Sequence, residues 1–547
     1  MKGDFARVTF NPAHHYTQVL QQQGRVLLEA DSNEQASIQL YLLHSLIRDL
    51  VGSCWAAGTG FAIGVQPDMA DWTLSPGHFY VDGILCENDT SCTLASQPYL
   101  PLPADGSGDW VHVPRQFALW VDVWERHLSA IEAPGLADIA LQGVDTATRA
   151  QTVWQIRMLD LDAERLGASL ADTRAAIGLS GRDDAGKKQA IAELDGLRKN
   201  LPSLGAANRN DICTTLRQVL TVRPRYAWPR LRAMLGPVES DSDPCVIAAD
   251  ARYRGCENQL YRVEVHHGGL AGTTEVPTAA SFKWSRENGS VIFPIVKTAN
   301  NPQSDGSMQV VVTLAKLGRD QRLGLAVKDW VELVDDDYTL SQLAYPLMQV
   351  IAIDAADGIV TLAVPTGDTA YAVGGAAKHP LLRRWDQSLQ LDAHGCVALI
   401  EGEAIDLEDG VQVSFEPGGV YATGDYWLIP ARVAGNGTLD WPKDGDKGAA
   451  LKSFGMHHIA VLGTLWPQMG YTECCCRFDS LCTLLGQASN RRVVDGGAVV
   501  APAAPVRKTA VKKSGATSVS KAVAAKSKRA PAKAVKKTGA RKTGKPR

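Results

Sequence analysis

The sequence predicts a mainly β, multidomain fold (α+β overall): an N-terminal docking helix, β-sandwich- or barrel-like domains, a helical insertion and a disordered basic tail. Three observations predict it. Short apolar runs with turn punctuation recur from about residue 60 to 480. Two Ala/Leu/Glu/Lys/Arg-rich stretches interrupt them between 159 and 235. From Ala501 to Arg547 there are fifteen Lys and Arg and no Asp or Glu. At 547 residues the chain is too long for one core, and 45% hydrophobic with 21% charged residues is an ordinary globular composition.

Residues 1–58 read as a strand–helix docking element. Gly24 to Ala30 looks extended, and a helix begins at Asp31, which with Glu34 makes a capping-box-like pair. Ile38, Leu42 and Leu46 form one i, i+4 row and Leu43, Ile47 and Leu50 the next, a stripe wide enough to bury against a partner. Those six are the expected assembly residues, and Gly52 ends the helix.

A β-rich domain follows over 59–158. "GHFYVDGILCEND" places Asp82-Gly83, a type I′ turn signal, between two short strands. Gln116 to Leu128 alternates with Leu119, Val121 and Val123 on one side, and Trp154, Ile156 and Met158 oppose Val153, Gln155 and Arg157. Residues 159–243 turn helical. Both helical stretches are polar, so an exposed insertion is expected. Residues 244–389 return to strands. "SFKWSRENGSVIF", with Asn288-Gly289 at its centre, is the strongest hairpin signal in the chain. "VKDWVELVDDD", "LMQVIAID" and "IVTLAV" read as consecutive strands of a small barrel or sandwich. A last β-rich domain spans 390–486. Residues 487–547 cannot bury enough apolar surface to offset chain entropy and read as disordered.

The net charge of −3 hides a division. Taking the tail's fifteen from the 56 basic residues leaves 41 against 59 acids, a net of −18 on the body. The doublets Lys512-Lys513, Lys528-Arg529, Lys536-Lys537 and Arg541-Lys542 suit counterion-release binding to nucleic acid or another polyanion. With no aromatic interleaved, base stacking is not expected. The acidic body is the competing partner.

Motifs for chemistry are weak. "GRDDAGKK" has Lys188 where a P-loop needs Ser or Thr, and it lies between helical segments. His14-His15, His266-His267 and His457-His458 are adjacent pairs, and neighbours in a strand point to opposite faces. Cys474-Cys475-Cys476, with Cys482, lacks the spaced pairs of zinc sites. His266, His267, His457, His458, Cys474 and Cys476 are therefore only weak metal candidates. No metal, no cofactor and no enzymatic activity are expected, since a G-x-S-x-G elbow and an assignable catalytic set are both missing. The eleven cysteines, scattered and without C-x-x-C, fit a reducing cytoplasm. MKGDFARVTF carries no apolar signal-peptide core, and the apolar runs are short for membrane spans.

"MKGDFARVTFNPAHHYTQVLQQQGRVLLEADSNEQ" resembles the opening of a large bacterial family that begins MKGDF-S-R-x-T-F and continues Q-Q-G-R-V-x-L-D-A-D-W-N-E-Q. The similarity continues in "VDVWERHLSAIEAPGLADIALQGVDTATRAQTVWQIRML", "YRGCENQLYRVEVHHGG", "LEDGVQVSFEPGGVYATGDYWLIPAR" and "HHIAVLGTL". Ser32 stands where the family has Trp, and the basic tail is unusual for it. The resemblance implies a β-rich protein encoded among phage-tail-like or contractile-injection genes, with no agreed activity. The expected role is a non-enzymatic structural or accessory component, baseplate- or tail-fibre-like, bound to other assembly proteins or to itself, without membrane insertion. It is expected in the cytoplasm or on a released particle. A carbohydrate- or surface-binding adhesin using exposed Trp and Tyr is the alternative, and a hydrolase is the third reading.

Overall fold

Strand pairing across long sequence distances organises the molecule. The computed structural model describes residues 1–65, 72–101, 116–236, 251–272, 280–318, 320, 322–445, 447–467, 470–480 and 483. The tail, with its expected disorder and its Lys/Arg doublets, lies outside the described residues, as does Cys482.

Helix α1 (Glu29–Val51) opens the fold and ends at Gly52, as expected. It starts two residues before Asp31, at an N-cap, Leu28, that makes no side-chain bond. The expected capping box is absent because Glu34 is engaged elsewhere, accepting from Thr9 Oγ1 at 2.5 Å. The Asp82-Gly83 hairpin is present, with Val81 paired to Ile84 and both turn residues at positive φ. A Cβ at Gly83 would lie 2.4 Å from the His44 carbonyl oxygen, so this turn passes directly beneath α1.

Two sheets enclose the first core. One runs Cys476–Phe478, Cys54–Ala57, Gly77–Val81, Ile84–Asn88; the other runs Arg149–Asp160, Phe117–Leu128, His458–Trp466, Gly470–Glu473. Phe79, Val81, Leu119, Val121, Trp154 and Ile156 fill the space between them. The helical insertion exists: α2 (Ala163–Leu179), α3 (Asp184–Asn200) and α4 (Arg209–Leu220). It is not an exposed hairpin, however. Leu166, Leu170, Ile177, Leu194, Ile212 and Leu216 pack with Val461, Trp466 and Ala118, so the helices cover the second sheet's outer face. Polar composition misled here because each helix needs only one apolar stripe.

The second core lies between the sheet Ile405–Asp406, Val411–Phe415, Arg230–Leu235, Leu451–Lys452 and the sheet Val397–Ala398, Ser281–Ser285, Gln259–His267, Tyr426–Arg432, Thr438–Leu439. The expected barrel is closed, in the order Ile292–Pro302, Met308–Leu314, Ile359–Ala363, Met348–Asp354, Trp330–Val334, Leu381–Trp385.

Two expectations fail on topology. Asn288 and Gly289 do form a turn with both residues at positive φ. Yet Ser281–Ser285 pairs with Gln259–His267 and Val397–Ala398, while Ile292–Pro302 pairs within the barrel. The turn hands the chain from sheet to barrel and makes no hairpin. Nor is 390–486 a separate domain. Its strand His458–Trp466 completes the second sheet beside Phe117–Leu128, and Tyr426–Arg432 lies beside Gln259–His267.

Candidate functional site

Helix α1 is the largest departure from ordinary burial. Ile38 is fully buried and Ala30 nearly so, and these two fix the helix to the body. The arm before it runs back alongside: Val19 N donates to Gln35 Oε1 at 2.7 Å, and the rings of Phe10 and Tyr41 lie 5.6 Å apart. Beyond those contacts, the Thr9–Glu34 bond and the Gly83 turn beneath His44, most of the helix's apolar side chains stand open. Leu42, Leu43, Leu46 and Leu50 are 47, 50, 56 and 74% exposed, and Leu40 and Tyr41 are also open. Ala36, Leu40, Leu43, Ile47 and Leu50 follow a 4-3-4-3 spacing, the seam of a coiled coil over two heptads. Of the six expected assembly residues, Ile38 faces inward; Leu42, Leu43, Leu46 and Leu50 face out; Ile47 is half-buried. Exposed apolar residues in the arm (Leu20, Val26, Leu27 and Leu28) extend the patch.

The opposite anomaly lies at residues 1–3. Lys2 Nζ reaches Glu264 at 2.7 Å, Arg262 donates to the Met1 carbonyl at 2.8 Å, and Gly3 exchanges hydrogen bonds with Asn288 at 3.1 and 2.9 Å. Around them Arg262, Glu264, Lys283 and Glu332 are all at most 2% exposed. Lys283 bridges Glu332 at 2.5 Å and Glu264 at 3.6 Å and sits 4.4 Å over the Trp385 ring. Tyr338 and Trp385 also donate to Glu332. Burial alone would raise both carboxyls. Lys2, Arg262 and Lys283 instead hold Glu264 well below the usual range, and Lys283 and Lys2 hold Glu332 at about 2. Burial lowers the Lys2 ammonium to about 8 against the pull of Glu264.

Among the weak metal candidates the structure separates some and joins others. His457 Nδ1 lies 2.6 Å from Asp122 and His458 Nδ1 2.8 Å from Asp82, so each pairs with its own carboxylate. Cys474 is bonded to Cys213, tying α4 to the end of the edge strand Gly470–Glu473, and cannot act as a thiolate in that state. This disulfide stands beside seven free cysteines among the described residues. Cys476 is exposed. His266 and His267, by contrast, come together with Cys396, their potential ligand atoms all within 4.8 Å of one another. The cause is a β-bulge. Val265 pairs with Phe282 and His267 with Ser281, leaving His266 as the extra residue, so the alternation that should send neighbours to opposite faces is suspended. Spacing gives no hint of Cys396, which reaches the cluster because Val397 pairs with Phe282.

A family model described as a family of unknown function (DUF6519) matches residues 1–542. The chain belongs to that family. No curated protein matches it. A solved structure titled "Crystal structure of TssK" is 8% identical and covers 74% of this chain and 99% of that chain, with a TM-score of 0.15. At that score the likeness carries no argument about fold or role.

Two further readings can be checked on this DUF6519 member. The adhesin reading relies on exposed Trp and Tyr: Tyr16 and Tyr41 are exposed, but Trp55, Trp72, Trp124, Trp154, Trp284, Trp385, Trp427, Trp441 and Trp466 are buried, and Trp120, Trp228 and Trp330 are half-buried. A shallow recess of about 490 Å³, between Tyr99, Arg126, Asp336, Asp337 and Lys378, is the best hydrolase candidate. Its carboxylates are already committed: Asp336 to Arg126 at 3.2 Å and to His379 at 2.8 Å, Asp337 to Lys378 at 2.8 Å. The P-loop-like stretch starts α3, where Asp183 accepts from Gly186 N at 2.9 Å and so caps the helix end a phosphate would need. Among the described residues no helix is long and apolar enough to cross a membrane.

Proposed function

We propose that this protein is a non-enzymatic structural or accessory component of a phage-tail-like, contractile-injection type of assembly, and that α1 docks it against α1 of further copies of the same chain. The observation that carries this is the bare leucine face of α1. Monomeric soluble proteins rarely leave a contiguous apolar face of this kind uncovered. A second copy is favoured as occupant because the exposed seam has heptad spacing and the exposed arm beside it is apolar too, so the surface is self-complementary. The resemblance to genes of injection assemblies supplies the context. Replacing Leu42 and Leu46 by Asp should remove the protein from purified particles while it stays folded. Normal incorporation of that variant sinks the reading, and loss of incorporation with self-association intact reassigns the face to a different partner.

The tail adds a second activity in this reading: salt-sensitive polyanion binding, carried by its fifteen positive charges. If about six charges meet phosphates, log affinity falls against log salt with a slope of about −4 to −5. Full-length protein, a chain ending at Gln487 and the isolated tail are to be titrated with DNA. Equal, salt-insensitive binding with and without the tail refutes it. Binding by the isolated tail alone shows that the acidic body masks it.

A further inference from the structure

We propose that His266, His267 and Cys396 hold one divalent ion of the zinc class. Two imidazoles and a thiolate are a borderline-soft donor set, suited to Zn²⁺ and its transition-metal neighbours and unsuited to Mg²⁺ or Ca²⁺, which take oxygen. Zinc bonds of about 2.0–2.1 Å to nitrogen and 2.3 Å to sulfur put tetrahedral donors roughly 3.3–3.8 Å apart. The three ligand atoms lie within 4.8 Å of one another, so closing by about 1 Å through ring and thiol rotation makes the site.

His266 points to a ligand independently. It is 1% exposed, and neither ring nitrogen has a hydrogen-bond partner among the described residues. Leaving a buried polar group unmet costs about 1–3 kcal/mol, and coordination through one nitrogen removes much of that. The neighbouring Lys283 does not forbid a cation, because its charge is already taken up by Glu332 and Glu264.

The surroundings fit the same assignment. Ser281 Oγ lies 3.0 Å from His267 Nδ1 and is itself buried. In the tautomer that donates Nδ1–H to this hydroxyl, Nε2 is free as a ligand and the ring is held in place, the usual job of a group behind a metal-bound histidine. Asp392 Oδ1 accepts from the backbone N–H of Cys396 at 2.9 Å and so fixes the loop that carries the thiol. His267 is partly exposed, which gives the ion an entry path and leaves a fourth position for water. The ion would staple the five-stranded sheet's bulge to the loop before Val397. A shared ion departs from the expectation drawn from spacing, that adjacent histidines in a strand seldom supply two ligands to one ion.

The test uses the full-length, untagged protein, stripped with chelator and reloaded with Zn²⁺ or Co²⁺. About one equivalent should bind, and the cobalt form should show a sulfur-to-metal charge-transfer band of single-thiolate intensity. C396S should lose the band and H266Q should lower uptake to under about a tenth of an equivalent, while C476S leaves both unchanged. Uptake below about a tenth of an equivalent by the unmutated chain overturns the site, as does a band that survives C396S or disappears in C476S. Should C396S or H266Q fail to fold, X-ray absorption of the unmutated zinc form decides. Two imidazoles and one sulfur around the ion support the site; no sulfur, or more than one, refutes it.

Discussion

Residues 1–3 and residues 40–50 break the same rule in opposite directions. Lys2 is half-buried, its ammonium set against a cluster of buried charges, while Leu40, Leu43, Leu46 and Leu50 on α1 stand in solvent. A buried charge and an exposed apolar patch are the two informative departures from ordinary burial. At residues 1–3 every departure is matched by a partner within the chain: Lys2 by Glu264, the Met1 carbonyl by Arg262, Gly3 by Asn288. On α1 the exposed leucines have no such cover among the described residues. The first region therefore specifies how sheet and barrel meet, and the second is the face that the proposed function assigns to a further copy of the chain.

If that distinction is right, mutations at the first region should unfold the protein and mutations at the second should not. The largest effect is expected for Glu332→Gln, which leaves the Lys283 ammonium buried without its closest partner. It should cost about 3–5 kcal/mol in urea unfolding, because Glu264, 3.6 Å away and already paired with Lys2 and Arg262, cannot replace the lost carboxylate. A loss under about 1 kcal/mol would mean that water reaches the cluster.

His127 comes next. Burial first, then the Arg383 charge, depresses it to about 4 despite Glu132. The imidazole is neutral in the fold, and the unfolded chain takes up the proton below about 6.5. Stability should thus fall as pH drops from about 6.5 towards 4, by up to about 3 kcal/mol, and H127Q should flatten that slope. Glu287, raised to about 7 by burial, acts in the reverse direction, so the difference between the two chains isolates His127. Parallel curves would remove His127 from the account.

Gly3→Ala is milder. A Cβ there would lie 2.2 Å from His127 Cε1, and the backbone bonds to Asn288 resist any shift. An overpacking cost of about 1–3 kcal/mol is expected by chemical denaturation. No measurable loss would show that the amino-terminal segment is loosely held.

Local chemistry was legible and long-range chemistry was not. Asp82-Gly83 was readable because the turn residues and both strands sit within one short segment. The barrel strands were readable because they are nearly consecutive. Asn288-Gly289 has identical local chemistry, but its flanking strands find better partners in different sheets. The segment 390–486 looked like a domain because pairings such as His458 with Val123 leave no trace in composition. Periodicity placed Leu42, Leu43, Leu46 and Leu50 of α1 in rows, and these four are exposed, whereas Ile38 in the same rows turned inward, since a row cannot say which face the body takes. Cys396 was missed for the same reason as the sheets: a bulge and a distant pairing bring it to His266 and His267.

The smallest expected effect on folding is also the most direct test of the central claim. Mass photometry of the full-length chain, beside a variant with Leu43 and Leu50 both changed to Asp, reads self-association through α1. Both positions are exposed, so the variant's unfolding midpoint should move by no more than about 0.5 kcal/mol. The unmutated chain should appear as an oligomer and the variant as a monomer of 58.7 kDa. A monomeric unmutated chain, or a folded variant that keeps the same oligomer, would contradict the account.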